Sequence, residues 1–291
     1  MDVLQHLDGE LPRQWRHYRK RLQRCQQEFS PVAVHDARIA TRRLLATLEL
    51  LAAFVSEPEL KPLRRALKKH LDAFDDLRDT QMQLRSVAPL RRSYSAAREF
   101  HAWLRLREVR FTRDARQAVK RIKTRPVGSN LAALAGELHR QRKSIPPRCA
   151  FTMASDAVGH AFARVNRFLR RVEATAPKTI HRTRIAFKRF RYMMEALSPL
   201  LPGVTDELRA AMRDYQSMMG DVQDLKVLLG TWDEFVEPMG SGPARQRLRA
   251  EFVRRRERLI RRYINSANNL KSFWPPKGLS PDPGIKKNKR R

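Results

Sequence analysis

His35, Arg38 and Arg42 recur 146 residues later as His181, Arg184 and Lys188, and Arg191 extends the second set. These side chains hold anions: arginine offers paired N–H donors to phosphate oxygens, lysine a compact charge, and histidine a donor that strengthens as it protonates. At about 100° per residue, spacings of i, i+3, i+7 and i+10 align each set along one side of a helix. A bound anion would raise the histidine pKa and favour its charged form. Two such stripes suit a phosphate polymer.

Helices must position these residues, and the sequence around them says how. Pro31 and Pro177 stand four residues ahead of the two histidines; proline at the first helical position starts each helix and leaves its histidine in the second turn. Overlaid without a gap, PVAVHDARIATRRLLATLELL and PKTIHRTRIAFKRFRYMMEAL agree at eight of 21 positions, against roughly one or two expected by chance, which marks a true internal repeat. The apolar rows Leu44, Leu48, Leu51, Val55 and Phe190, Met194, Leu197, Leu201 lie on another face. Each helix thus turns one side to its own bundle and presents a cationic stripe elsewhere.

Cations near a helix start oppose the macrodipole, at roughly 0.3–1 kcal/mol each where exposed. A chain that repeats this at matching positions has an anion to place there. The similarity continues in FDDLRDTQMQL and MGDVQDLKVLL, which align Asp79 with Asp224. Asp79, Asp224, Glu49 and Glu195 are expected to pair with arginines of their own bundle and orient them. Two halves built alike predict two helical bundles related by a pseudo-twofold axis.

The whole chain agrees with a cationic binder. Its 291 residues carry a formal charge of +31, and such self-repulsion implies a polyanionic partner: nucleic acid, an acidic membrane surface or another phosphate polymer. The apolar share of 42% is enough for a sizeable core. Glycine is scarce, strand-like alternation is absent, and apolar residues return every three or four positions, so the fold class is all-α. Breaks at residues 29–31, 56–58, 88–89, 125–130, 145–147, 176–177, 199–203 and 238–243 predict about eight long helices and a short one near 130–143. From Trp274 the composition is that of a basic disordered tail, residues 274–291. Cys25 and Cys149 lack metal-ligand spacing, the start lacks a signal-peptide pattern, and no apolar run spans a bilayer. A reduced, cytoplasmic protein without membrane insertion is expected.

The strings His35-x-x-Arg38-Ile39-x-x-Arg42-Arg43-Leu44 and His181-x-x-Arg184-Ile185-x-x-Lys188-Arg189-Phe190-Arg191-Tyr192 closely resemble the two signature helices of the conserved histidine α-helical domain, the CHAD domain. The LRD at 77–79 and MGDVQD at 219–224 resemble its companion helices. The resemblance covers residues 1–273, with repeat one over 1–145 and repeat two over 146–273. It implies a stand-alone CHAD member with two four-helix units around a basic central channel. It also implies binding of inorganic polyphosphate without catalysis or cofactor, and association with polyphosphate granules. His35, Arg38, Arg42, Arg43, His181, Arg184, Lys188, Arg189 and Arg191 are then the polyphosphate ligands, and the repeat adds Arg16, Lys20, Arg164, Arg167, Arg171, Lys68 and Lys226. The first copy departs from the family pattern at Leu45, opposite Arg191.

Other readings fare less well. A nonspecific nucleic-acid binder would use the charge and the basic tail (Lys286, Lys287, Lys289, Arg290, Arg291), yet Phe187, Phe190 and Tyr192 sit at packing positions and leave no stacking platform for bases. Glu57, Glu59 and Lys61 match the Glu-x-Glu-x-Lys string of the triphosphate tunnel domains that often accompany CHAD domains. Pro58 and Pro62 interrupt any strand there. The sequence holds no P-loop, zinc-protease helix or nucleophile elbow. A scaffold docking acidic proteins would be compatible with polyphosphate binding.

Overall fold

Pro31 and Pro177 do start helices, and caps and prolines set most of the other boundaries. The computed structural model describes residues 2–240 and 242–276. Among these, ten α-helices follow one another with no strand: α1 (Val3–Glu28), α2 (Pro31–Leu51), α3 (Glu57–Asp72), α4 (Asp75–Val87), α5 (Ser95–Lys120), α6 (Thr124–Ser144), α7 (Pro147–Leu169), α8 (Pro177–Leu197), α9 (Asp206–Val236) and α10 (Pro243–Ser266), then a 3₁₀ segment, Ala267–Phe273. No helix among the described residues is long and apolar enough to cross a membrane.

Three boundaries differ from the sequence expectation. Residues 125–130 are helical, because Pro126 falls in the first turn of α6, where no intrahelical donor is needed. Gly128 then lies against the Trp15 indole, with 3.2 Å to a Cβ built there. The stretch after α2 is two helices, parted at Ala73 and Phe74 without any glycine or proline; Asp75 and Asp76 supply the acidic first turn that a new helix N-terminus favours. Its repeat counterpart, α9, runs through without interruption for 31 residues. Trp274, assigned by composition to the tail, meets the Phe190 ring edge-on at 6.2 Å. Residues 277–291, including the basic cluster of the tail, lie outside the described residues.

The pairings α1 on α2 and α4 on α5 recur as α7 on α8 and α9 on α10, while α2 packs on α8 and α4 on α9. Buried apolar side chains form two clusters. The larger draws on α1, α2, α3, α6, α7 and α8, with Leu77 of α4, the end of α5, the first half of α9 and the end of α10. The smaller joins the end of α4 and start of α5 to the end of α9 and start of α10, around Phe100, Trp232, Phe235 and Phe252. Both cores therefore take helices from both repeats. Buried Gln83 of α4 donates to Thr231 of α9 at 2.9 Å and adds a polar tie across the smaller core.

Trp232 is 1% exposed and touches the rings of Phe100, Phe235 and Phe252 at centroid distances of 5.0, 5.5 and 5.7 Å. Trp232→Ala is expected to lower stability by about 3–5 kcal/mol, measured by urea unfolding, since it empties the centre of the smaller core.

Candidate anion-binding site

Ser30 caps α2 by accepting from the Ala33 amide at 3.2 Å, and Pro31 fixes the first turn, so the His35–Arg38–Arg42 stripe starts at a defined angle. On α8, Pro177 does the same for His181, Arg184 and Lys188. The stripes converge because α2 packs on α8, α4 on α2 and α9 on α8. Their inner turns meet in a half-buried basic centre, in which Arg38 is buried and Arg42, Arg184 and Lys188 are partly so, and to which α4 adds half-buried Arg78.

Arg38 is the most firmly held. One guanidinium nitrogen donates to the Leu71 carbonyl at 2.7 Å, and another pairs with Asp75 at 2.6 Å. Both partners come from the break between α3 and α4: the end of α3 turns out the Leu71 carbonyl, which also accepts from the Phe74 amide at 3.1 Å, and the start of α4 brings a carboxylate. Arg184, its counterpart on α8, has no such arrangement. Its Nε is buried without a hydrogen-bond partner among the described residues, and the facing position on α9 is Gly220, where an added Cβ would sit 3.7 Å from that nitrogen.

One turn further, Arg42 and Lys188 approach each other. Burial pushes the Lys188 ammonium down to about 6, helped by the charges of Arg42, Arg184 and Arg38. Arg42 is brought down to about 10 by burial and then by Arg38. Burial also lowers Arg78 and Arg184, with Asp224 opposing it in both. Five basic side chains thus share a poorly solvated space in which their charged forms repel one another and Lys188 gives up its proton most readily, an arrangement that an entering multivalent anion relieves.

The carboxylates behave differently from the expected pairing. Asp79 and Asp224 close no ion pair among the described residues. Partial desolvation pushes Asp79 up to about 6 although the residue keeps an exposed surface, with Asp75 and Asp224 adding to it; desolvation also raises half-buried Asp224, against the pull of Arg184, of Arg78 from the other repeat, and of Lys188. Asp75 takes the close contact instead. Glu195 pairs with Arg191 of its own helix as expected, whereas Glu49 is shared between the repeats: it pairs with Arg64 of its own half at 3.6 Å and with Arg189 across the α2–α8 seam.

The other expected ligands fall into three groups. His35 and His181 sit at the edge of the centre, both lowered first by burial and then by Arg78 and Arg184 respectively. His35 lines a cavity of about 470 Å³ with Arg78, Arg85, His101 and Arg105, while Lys226 acts on His181. Arg43 lines a separate hollow of about 300 Å³ with Arg13, Arg209 and Arg213. Arg191 borders that hollow but is turned inward, donating to Gln216 at 2.9 Å and lying 4.3 Å over the Tyr192 ring. Arg16, Lys20, Lys68, Arg164, Arg167 and Arg171 are exposed and enter none of these contacts; Arg164 lies 5.5 Å over Phe168.

Arg78 was legible only as the middle of the LRD string. The repeat hides it, because its counterpart is Gln223, which partly restores the proton affinity of His181.

Lys188 couples the site to stability. In the unfolded chain its amine keeps a proton up to its ordinary value of 10.5, but in the fold only up to about 6. Between these values the unfolded state holds more protons, so this residue's contribution makes stability rise with pH across that window. Lys188→Met is expected to stabilise the protein by about 1–4 kcal/mol near neutral pH and to flatten that rise, as read from urea unfolding at several pH values.

Comparison with known proteins agrees with this architecture. The family model for the CHAD domain matches residues 10–233. Among solved structures, the crystal structure of the CHAD domain from the plant Ricinus communis superposes with a TM-score of 0.65 at 18% identity, over 94% of this chain and 90% of that one. PptA from Streptomyces chartreusis superposes with a TM-score of 0.67 at 15% identity, over 93% and 99%. A search of curated proteins returns no match. With the doubled signature helices in place and the family model spanning most of the sequence, this chain belongs to the CHAD domain family.

Proposed function

We propose that the protein binds inorganic polyphosphate and does no chemistry on it. The observation that carries this is the half-buried basic centre: Arg38, Arg42, Arg78, Arg184 and Lys188 are gathered from three helices, and Arg184 keeps a buried N–H without a partner among the described residues. Guanidinium groups would take phosphate oxygens in pairs and Lys188 would act as a point charge. His35, His181 and Lys226 would extend the path outward, with the exposed arginines of α1 and α7 and Lys68 contributing long-range attraction. Cytoplasmic placement on polyphosphate granules follows naturally from such binding.

The aromatic side chains favour this polymer over nucleic acid. Phe187 and Phe190 are fully buried and Tyr192 is 6% exposed, so the signature helices offer no face on which bases could stack. Polyphosphate has no bases.

Labelled long-chain polyphosphate is expected to outcompete single-stranded and duplex DNA by more than about tenfold at equal phosphate concentration, or roughly 1.4 kcal/mol. Equal competition would return the binding to net charge alone, which weakens with salt for any polyanion. Arg38→Ala combined with Arg184→Ala should reduce polyphosphate affinity by at least about tenfold; a loss below about twofold overturns the site.

Lys188, His35 and His181 all hold their protons less tightly than usual in the free protein. A bound polyanion reverses this, so binding takes up protons near neutrality and affinity falls as pH rises from about 6 to 9. Calorimetry in two buffers of different ionisation heat should report net proton uptake, reduced in Lys188→Met.

A further inference from the structure

The repeat aligns Asp79 with Asp224, and the same offset places Asp75 opposite Gly220. The two positions face equivalent arginines. Asp75 holds Arg38 at 2.6 Å, whereas Gly220 leaves the buried Nε of Arg184 without a partner. In the free protein the first-repeat arginine is therefore already in contact with a carboxylate, whereas Asp224 acts on Arg184 without closing an ion pair among the described residues.

We propose that the Asp75 carboxylate is an internal competitor that occupies the phosphate position on Arg38 and must be displaced when the polymer binds. The inference rests on the polyphosphate reading and adds to it an affinity-setting residue. Geometry permits the exchange. The Asp75 side chain is 51% exposed and that of Arg38 only 9%, so the carboxylate is the solvent-facing member and can turn outward. Arg38 keeps its bond to the Leu71 carbonyl throughout and stays aimed at the site. A displaced Asp75 remains in the first turn of α4, where a negative charge is favourable. Arg184 then makes the first contact with an incoming phosphate, and Arg38 joins as Asp75 releases it.

Four single variants test this: Asp75→Asn, Asp76→Asn, Gly220→Asp and Gly220→Ala. Asp76 is a neighbouring exposed carboxylate that forms no ion pair with Arg38 among the described residues, so its variant changes net charge equally and serves as the control. Asp75→Asn should tighten long-chain polyphosphate binding at least about threefold more than Asp76→Asn does. Gly220→Asp should weaken it by a similar factor relative to Gly220→Ala; a Cβ there sits at ordinary contact distance from the Arg184 guanidinium. Equal affinities of the two Asn variants, in a wild type that binds, overturn the competitor while leaving the polyphosphate reading intact.

The same variants are compared by the rise in unfolding temperature that inorganic tripolyphosphate produces, which also shows that each is folded. Asp75 competes with any phosphate anion on Arg38, so Asp75→Asn should show the larger rise even if long chains fail to bind the wild type. That result would sink the polymer reading and keep the competitor. Identical rises in the wild type and both Asn variants overturn the proposal.

Discussion

Like charges gathered out of water repel strongly and lose their hydration, and the basic centre depends on that constraint. A chain can hold Arg38, Arg42, Arg78, Arg184 and Lys188 within reach of one another only if the helices carrying them are fixed by something stronger. The two apolar cores supply it. Residues of α2 and α8 sit in the larger core, α4 and α9 contribute to both, and the cations lie where these four helices meet. Ordinary hydrophobic burial thus holds together a site that electrostatics alone would push apart. The site is strained toward a partner in the thermodynamic sense that anion binding removes a cost already present in the fold.

Much of this was legible in the sequence, for identifiable reasons. Pro31 and Pro177 set helix phase, and the duplicated His-x-x-Arg pattern set the face; both are local signals read by periodicity. The stripes consequently meet as their spacing suggests. What stayed hidden depended on tertiary contact. Arg78 has no duplicate, so a comparison of repeats passes over it, and Asp75 gains its meaning only from a helix break that neither glycine nor proline announces. Arg191 shows the opposite limit: it shares the stripe by spacing, yet its partners Glu195 and Gln216 turn it inward. The exposed arginines on α1 and α7 have the right periodicity, but a helical row says nothing of which neighbouring element it faces.

The internal repeat is also less symmetrical in structure than in sequence. The break that parts α3 from α4 creates both partners of Arg38, and the uninterrupted α9 denies them to Arg184. Arg42 faces Lys188, a charge that releases its proton far less readily beside one that is easily neutralised. The two stripes are alike in position and unlike in chemistry.

Because each core is assembled from helices of both repeats, a chain of half this length would close neither core by itself. Two identical half-chains would need to associate, and every substitution would then appear twice in the shared centre. Joining the copies through the link between α6 and α7 removes that restriction. Asp75 against Gly220, Arg78 against Gln223 and Arg42 against Lys188 are differences that no symmetric dimer could hold. Covalent fusion thus gives a duplicated scaffold the freedom to divide labour between its halves.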